Sequence, residues 1–269
     1  ADAADFAIDG SSGALTFNTI PNFESPHDDG TNNVYLVQVQ VSDGANTDSQ
    51  TITIPVINDN DPPVVTAGGT PGYTENGSAT VIDNTITISD NADSQLSGAT
   101  VTISSGHTTG DVVALSTQNG ISGSYNSSNG VLTVTGTATL AQYQTALRSI
   151  TFNSTSEDPT ATSGTRTITW VITDANSDGV GAASSSGVTS SITITPLSDV
   201  PVVTAGGTLS YTENGSAAAI DNTITTSDPD DTQITGASIS ISSGFTTGDV
   251  LTLSTQNGIS GSYNSSNGV

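Results

Sequence analysis

Cysteine and lysine are both absent from the 269-residue chain, and its only basic residues are Arg148 and Arg166. Without cysteine there is no disulfide, no thiolate zinc site and no thiol nucleophile. Without lysine there is no Schiff-base chemistry, no lysine-bearing phosphate loop and no cross-link through a lysine amine. Aromatic residues make up only 4% of the chain, and no apolar run approaches the ~20 residues of a membrane-spanning helix. No signal-peptide pattern is present and the first residue is Ala, so the chain reads as part of a longer, processed protein.

What the chain does have is acid. Its 26 Asp and Glu leave a formal charge of −24. Such a surface repels phosphate backbones and anionic headgroups, so neither nucleic acid nor membrane insertion is expected, and divalent cations are the natural counter-charge. Threonine, serine, glycine and asparagine are abundant, yet Val, Ile and Thr recur with period two, the pattern of half-buried strands. A Thr/Ser-rich acidic surface without Cys or Lys fits an exported bacterial protein.

Internal repetition is the strongest signal. The stretch beginning "PVVTAGGTPGYTENGSATVIDNTITISD" at Pro63 returns at Pro201 as "PVVTAGGTLSYTENGSAAAIDNTITTSD", an offset of 138 residues. Between Pro63–Val131 and Pro201–Val269 all but 16 of 69 positions are identical, and "LSTQNGISGSYNSSNGV" recurs unchanged. The first 60 or so residues do not align with this unit but end as it does. "NVYLVQVQVSDG" places Tyr35, Val37, Val39 and Val41 on one face, and "SQTITIPVIND" does the same with Ile52, Ile54 and Val56. In the middle unit Ile168, Trp170 and Ile172 share a face, as do Ile192 and Ile194. Each unit thus closes with a strand, an Asp-containing turn, a strand and an acidic junction before proline. The expected fold is all-β, with tandem immunoglobulin-like sandwiches in a linear array. The divisions expected are 1–61, the second half of one repeat; 62–199, a complete repeat; and 200–269, the first half of its second copy. One helix is expected in "TLAQYQTALRSI", where Leu140, Tyr143, Leu147 and Ile150 make an apolar stripe and Thr139 with Gln142 makes a capping box.

The junction "VINDNDPPV", Val56 to Val64, sets four carboxylate or amide side chains in a row and follows them with two prolines. A loop needs only to turn, so this run of oxygen donors points to a cation. Residues 5–61 also carry a recognisable pattern: Phe6, Ile8 and Asp9; Gly13 and Leu15; Glu24; Asp43; then Asn58-Asp59-Asn60 with Pro62. This pattern resembles the C-terminal half of a cadherin repeat, and the 138-residue unit is similar to cadherin-like repeats found in tandem in giant bacterial surface adhesins. "YTENG" at Glu75 and Glu213 and "TDANSDG" at Asp174 carry the second resemblance.

The resemblance implies Ca²⁺ at the junctions. Glu24 would come from the unit before Asn58, Asp59, Asn60 and Asp61, and Asp90, Asp93 and Asp174 from the unit after. At the next junction Glu75 and Glu157 would meet Asp199, Asp228 and Asp230, while Asp43 would face a preceding unit. The chain departs from the pattern at Val56, at Asn22, at Asp90-Asn-Ala-Asp93 and at "PLSDVP", so fewer or weaker ions are expected than in a full cadherin junction. Carboxylates ~4 Å apart repel by about 4 kcal/mol at an effective dielectric of 20. A divalent ion reverses that sign and locks the hinge, while the proline pair narrows its arc.

Catalysis is not expected. His27 lies in a surface loop, and His107 is Phe245 in the other copy. "DANSDG" opens like an EF-hand loop, but its twelfth position is Ser185 and a strand precedes it. The acceptor-like sequences at Asn76, Asn126 and Asn153 are what chance gives in so Asn- and Ser-rich a chain. The favoured function is a calcium-stiffened extracellular stalk of a bacterial surface adhesin, whose partners are neighbouring repeats of the same polypeptide. The alternatives are a module binding extracellular polysaccharide and a fibre subunit assembling with identical chains.

Overall fold

The computed structural model describes residues 2–269. The chain divides into two compact units, Ala1–Leu197 and Ser198–Val269.

The first unit opens with a 3-10 turn at Ala3–Asp5, then two antiparallel pairs. Strands β1 (Phe6–Ile8) and β2 (Leu15–Phe17) form one, and β3 (Val34–Ser42) with β4 (Thr47–Pro55) the other. Phe6, Phe17 and Tyr35 cluster at centroid distances of 4.5 to 5.8 Å, Tyr35 edge-on to both phenylalanines, and Tyr35 and Val37 are buried. The apolar stripe read from β3 fades along its length: Val41 is exposed.

The rest of this unit runs β5 (Val64–Thr66), β6 (Gly72–Thr74), β7 (Thr80–Val81), β8 (Thr87–Ser89), β9 (Gln95–Ser105), β10 (Asp111–Ala114), β11 (Ser122–Asn126), β12 (Val131–Thr139), α1 (Leu140–Leu147), β13 (Thr151–Ser154), β14 (Thr165–Asp174) and β15 (Val188–Thr195). Six strands make the main sheet in the order β11-β12-β9-β14-β15-β6, antiparallel except for β15 and β6. The order β10-β13-β7 makes a second sheet, and β5 pairs with β8. Residues of both sheets and of α1 share one apolar core, so residues 64–195 are a β-sandwich. Strand β14 alternates inward with Ile168, Trp170 and Ile172, all fully buried, each contributing about 1.5–3 kcal/mol by leaving water. Gly136 sits at φ +126° where the β12–β9 register shifts between Thr135 and Ala138, with Gly120's carbonyl against the place of any Cβ.

Helix α1 begins with the capping box read from the sequence: Gln142 N–H donates to Thr139 Oγ1 at 3.3 Å, and Thr139 N–H to Gln142 Oε1 at 3.0 Å. Its inner face is Tyr143, Ala146 and Leu147, with Ile150 buried just beyond it.

Two buried polar networks pin the sandwich. Arg166, fully buried, donates from Nε and Nη2 to Asp111 at 2.6 and 3.3 Å, and from Nη1 and Nη2 to the carbonyls of Ser163 and Pro159. Trp170 Nε1–H donates to Ser190 Oγ at 3.0 Å, and Ser190 donates to Asp83 at 2.8 Å. Asp83 also accepts from Gly68, Gly69 and Thr85. Burial pushes its carboxyl upward, but these bonds outweigh burial and hold it well below the usual carboxylate range.

The second unit holds one strand pair, β16 (Val202–Thr204) with β17 (Thr225–Ser227), matching β5 with β8. Local devices recur there as well. Asp221 accepts from Gly206, Gly207 and Thr223 as Asp83 does from their counterparts, and Gln256 bridges Ile259 as Gln118 bridges Ile121. Residues 260–264, identical to β11, form no strand. In the first copy that stretch pairs with β12, which begins at Val131, and the matching residue of the second copy is Val269.

Candidate cation site

Strand register brings acids together at one end of the main sheet. Asp174 ends β14 opposite Leu96, near the start of β9, so Asp174 and Asp93 meet there. Asp90, just past β8, completes the group, with one carboxylate oxygen from each of the three within 4.8 Å of the others. Two ligands of one Ca²⁺, each at about 2.4 Å, are at most ~4.8 Å apart, so the spacing suits a single ion.

The junction segment closes over this group. Asn60 donates from Nδ2 to Asp174 Oδ2 at 3.1 Å and to the Gly181 carbonyl. Asn58 Nδ2 donates to Asp178 Oδ2 at 3.0 Å. Both amides thereby turn a carbonyl oxygen away from those acceptors. Asn58 Oδ1, Asn60 Oδ1, Asp90 Oδ2, Asp93 Oδ2 and Glu24 Oε1 are buried and accept no hydrogen bond. Buried acceptors without a donor cost roughly 1–3 kcal/mol each, more when charged.

The partners of the other oxygens fix the geometry. Asp90 Oδ1 accepts from Ala92 N–H and Asp93 N–H at 3.0 and 2.7 Å. Asp93 Oδ1 accepts from Ser177 Oγ at 2.5 Å, from Ser177 N–H and from Asp178 N–H. Asp174 accepts from Asn176 N–H and Ala183 N–H. Burial, together with the Asp93 and Asp174 charges, raises the Asp90 carboxyl against the pull of its two N–H donors. Neither arginine relieves this charge: Arg166 is bound to Asp111, and Arg148 Nε donates to the Ile86 carbonyl at 2.8 Å.

The remaining residues expected from the sequence fall as follows. Asp59 is exposed, and Asp61, half-buried, lines a cleft with Pro62, Val64, Ser89, Asp90 and Asn91. Asp43 is exposed and caps a turn, accepting from Asn46 N–H and Ala45 N–H, which lower its carboxyl. Glu75 is buried and accepts from Leu197 N–H at 2.7 Å through Oε2, while Oε1 has no donor. Glu157, exposed, brings a carboxylate oxygen within 4.8 Å of it. In the second unit Asp228, Asp230 and Asp231 form a cluster of their own, and Asp199 N–H donates to Asp230 at 3.3 Å. Asp199 Oδ2 and Asp230 Oδ1 have no donor, and the hydrogen bond shared with Asp228, then burial, raises the Asp230 carboxyl.

Two supporting residues went unread in the sequence. Ser177 anchors Asp93 and Asp178 anchors Asn58, both from the "DANSDG" turn, where Asn176 takes φ +54°. The density of Asp and Asn in that turn was the only available signal, and it names a turn rather than its partners.

No family model matches the chain. Halomucin of Haloquadratum walsbyi (strain DSM 16790 / HBSQ001) is 34% identical over 116 residues, 41% of this chain and 1% of that protein. The chain therefore spans a very small part of the curated relative it matches. Among solved structures, human protocadherin-24 EC1-2 is similar at 14% identity and a TM-score of 0.32, over 73% of this chain and 79% of that one. Protocadherin gamma B2 domains 3-6 give 22% identity and 0.34, over 85% and 46%. S-layer protein SbsC domains 4 and 5 give 16% and 0.25, over 72% and 67%. The all-β sandwich rests on the strand register and core described above. Among the described residues no helix is long and apolar enough to cross a membrane.

Proposed function

We propose that Asn58, Asn60, Asp90, Asp93 and Asp174, with Glu24, hold a Ca²⁺ ion, and that the ion stiffens the joint between residues 1–61 and the following sandwich. The observation that carries this reading is the three-acid cluster, with Asn60 bonded to Asp174 and Asn58 to Asp178, whose asparagine, Asp90 and Asp93 side chains keep buried oxygens that accept no hydrogen bond; Glu24 carries another such oxygen. A hard cation satisfies such oxygens together and offsets the burial, and the Asp93 and Asp174 charges, that raise Asp90. The donor set is all oxygen, with no histidine or thiolate, which favours Ca²⁺ over zinc and other softer metals. Asp59 and Asp61 lie in the same acidic segment and would complete or surround the shell.

In a chain of 138-residue repeats such joints make a semi-rigid stalk. Similarity to halomucin supports an extracellular, adhesion-type setting for it. A non-catalytic role agrees with acids that sit at turns and repeat positions. Trp170, the chain's one tryptophan, is buried and offers no platform for a sugar.

Adding CaCl₂ to chelated protein should raise its melting temperature, by about 2.7 kcal/mol of stability at a hundredfold excess over Kd. Small-angle scattering should show a longer, stiffer particle at the same time. Asp93→Asn should remove most of both responses. Melting and dimensions indifferent to calcium in the unaltered chain would end this reading.

A further inference from the structure

The chain carries six Asn-Gly pairs, three in the complete repeat and three at the matching places of the second copy. This dipeptide is chemically weak. Glycine has no side chain to shield its nitrogen, so that nitrogen can attack the Cγ of the asparagine ahead of it. Attack requires a nitrogen whose N–H is not held in a hydrogen bond and an asparagine side chain free to swing toward it.

The fold separates the pairs on that criterion. After Asn76, the Gly77 N–H donates to the Thr74 carbonyl at 2.9 Å. After Asn129, the Gly130 N–H donates to the Asn126 carbonyl at 3.0 Å, Gly130 is buried, and Asn129 Oδ1 accepts from Val131 N–H at 3.3 Å. Asn119 differs. Gln118 and Ile121 exchange backbone hydrogen bonds of 3.0 and 2.7 Å around a two-residue turn, with φ +51° at Asn119 and +77° at Gly120. That closure uses neither of the two central N–H groups. Both residues are exposed, and among the described residues the Gly120 N–H and the Asn119 side chain have no hydrogen-bond partner. The second copy repeats the division: the Gly258 N–H after Asn257 is likewise unbonded, while Gly215 and Gly268 donate to the Thr212 and Asn264 carbonyls at 3.0 Å. The turns themselves therefore set it.

We infer that Asn119, and Asn257 with it, is a site of spontaneous covalent modification, ageing by deamidation while the other Asn-Gly pairs are protected. Water or hydroxide takes the Gly120 amide proton, the nitrogen bonds to Asn119 Cγ, and the side-chain amide takes up a proton and leaves as ammonia. Water then opens the cyclic imide at either carbonyl, giving aspartate or isoaspartate. No oxidant or enzyme is required. Each event adds a negative charge to a chain already at −24. Isoaspartate also inserts a methylene into the backbone of a two-residue turn. That turn has fully buried Ile121 on one side and the Gly120 carbonyl packed on Gly136 on the other. The lengthened turn cannot keep both, so ageing loosens this corner of the sandwich.

The test incubates the 269-residue chain in mildly alkaline buffer, folded and in urea. Pepsin digestion in acid then stops the reaction, and mass spectrometry reads each Asn-Gly pair. A hydrogen bond that must break first slows attack roughly fivefold. In the folded chain Asn119 should therefore convert about five times faster than Asn76, and about ten times faster or more than Asn129, where the asparagine oxygen is held as well. In urea the three rates should converge. Asn119→Gly keeps the turn, because Gly-Gly suits positive φ at both central positions. Aged alongside the parent, it should retain the melting temperature that the parent loses. Folded-state conversion at Asn76 or Asn129 as fast as at Asn119 would overturn the proposal. So would an Asn119 that stays intact in the fold while converting in urea, or equal melting of the two aged chains.

Discussion

At Asp83 burial and hydrogen bonding oppose each other, and the backbone and hydroxyl donors win. The folded carboxyl lies below its ordinary 3.8, so its stabilisation is fully present above that pH and is lost as pH falls through the acid range. Asp83→Asn should therefore destabilise the protein by about 1.5–3 kcal/mol at neutral pH, and the gap between variant and parent should narrow on acidification below about pH 3.8, read from urea midpoints. Arg166 makes a sharper case because its partner is as buried as itself. Arg166→Met leaves Asp111 buried without its counter-charge, and should cost about 3–5 kcal/mol. Adding Asp111→Asn should restore part of that loss. At this scale the sequence made the oxygen donors of "NDND" legible and left Arg166 a bare count, because a buried ion pair joins residues 55 apart in sequence.

Elements were legible wherever their reason was local. Helix α1 has its stripe and its capping box within twelve residues, so spacing alone located it. Thr139→Ala should cost about 1 kcal/mol through the lost cap, a drop of a few degrees in melting temperature, with the sheet signal in circular dichroism unchanged. The same holds for the Asp221 and Asp83 turns, which form in both copies from the same residues. Strand β11 shows where local reasoning stops. Its residues are unchanged in the second copy, yet they are a strand only where β12 lies alongside. A strand needs a neighbour to satisfy its backbone, whereas a helix or a capped turn satisfies its own.

Across the whole molecule, 26 acidic side chains repel one another with only two arginines to offset them, a net charge of −24. Screening shortens that repulsion from ~30 Å at 0.01 M salt to ~3 Å at 1 M. The melting temperature of the chelated protein should accordingly rise with sodium chloride across this range, followed by calorimetry, and the rise should flatten once calcium is bound. The repeat, the period-two stripes, the acidic junction and the exclusion of thiol and lysine chemistry were determined by the sequence, since composition and spacing are properties of the chain itself. The meeting of Asp90, Asp93 and Asp174 and the burial of the Asn58 and Asn60 carbonyl oxygens without a donor were decided only by the tertiary structure. Each depends on which distant strand lies alongside, and pairing between strands far apart in sequence is set by the packing of the whole sandwich.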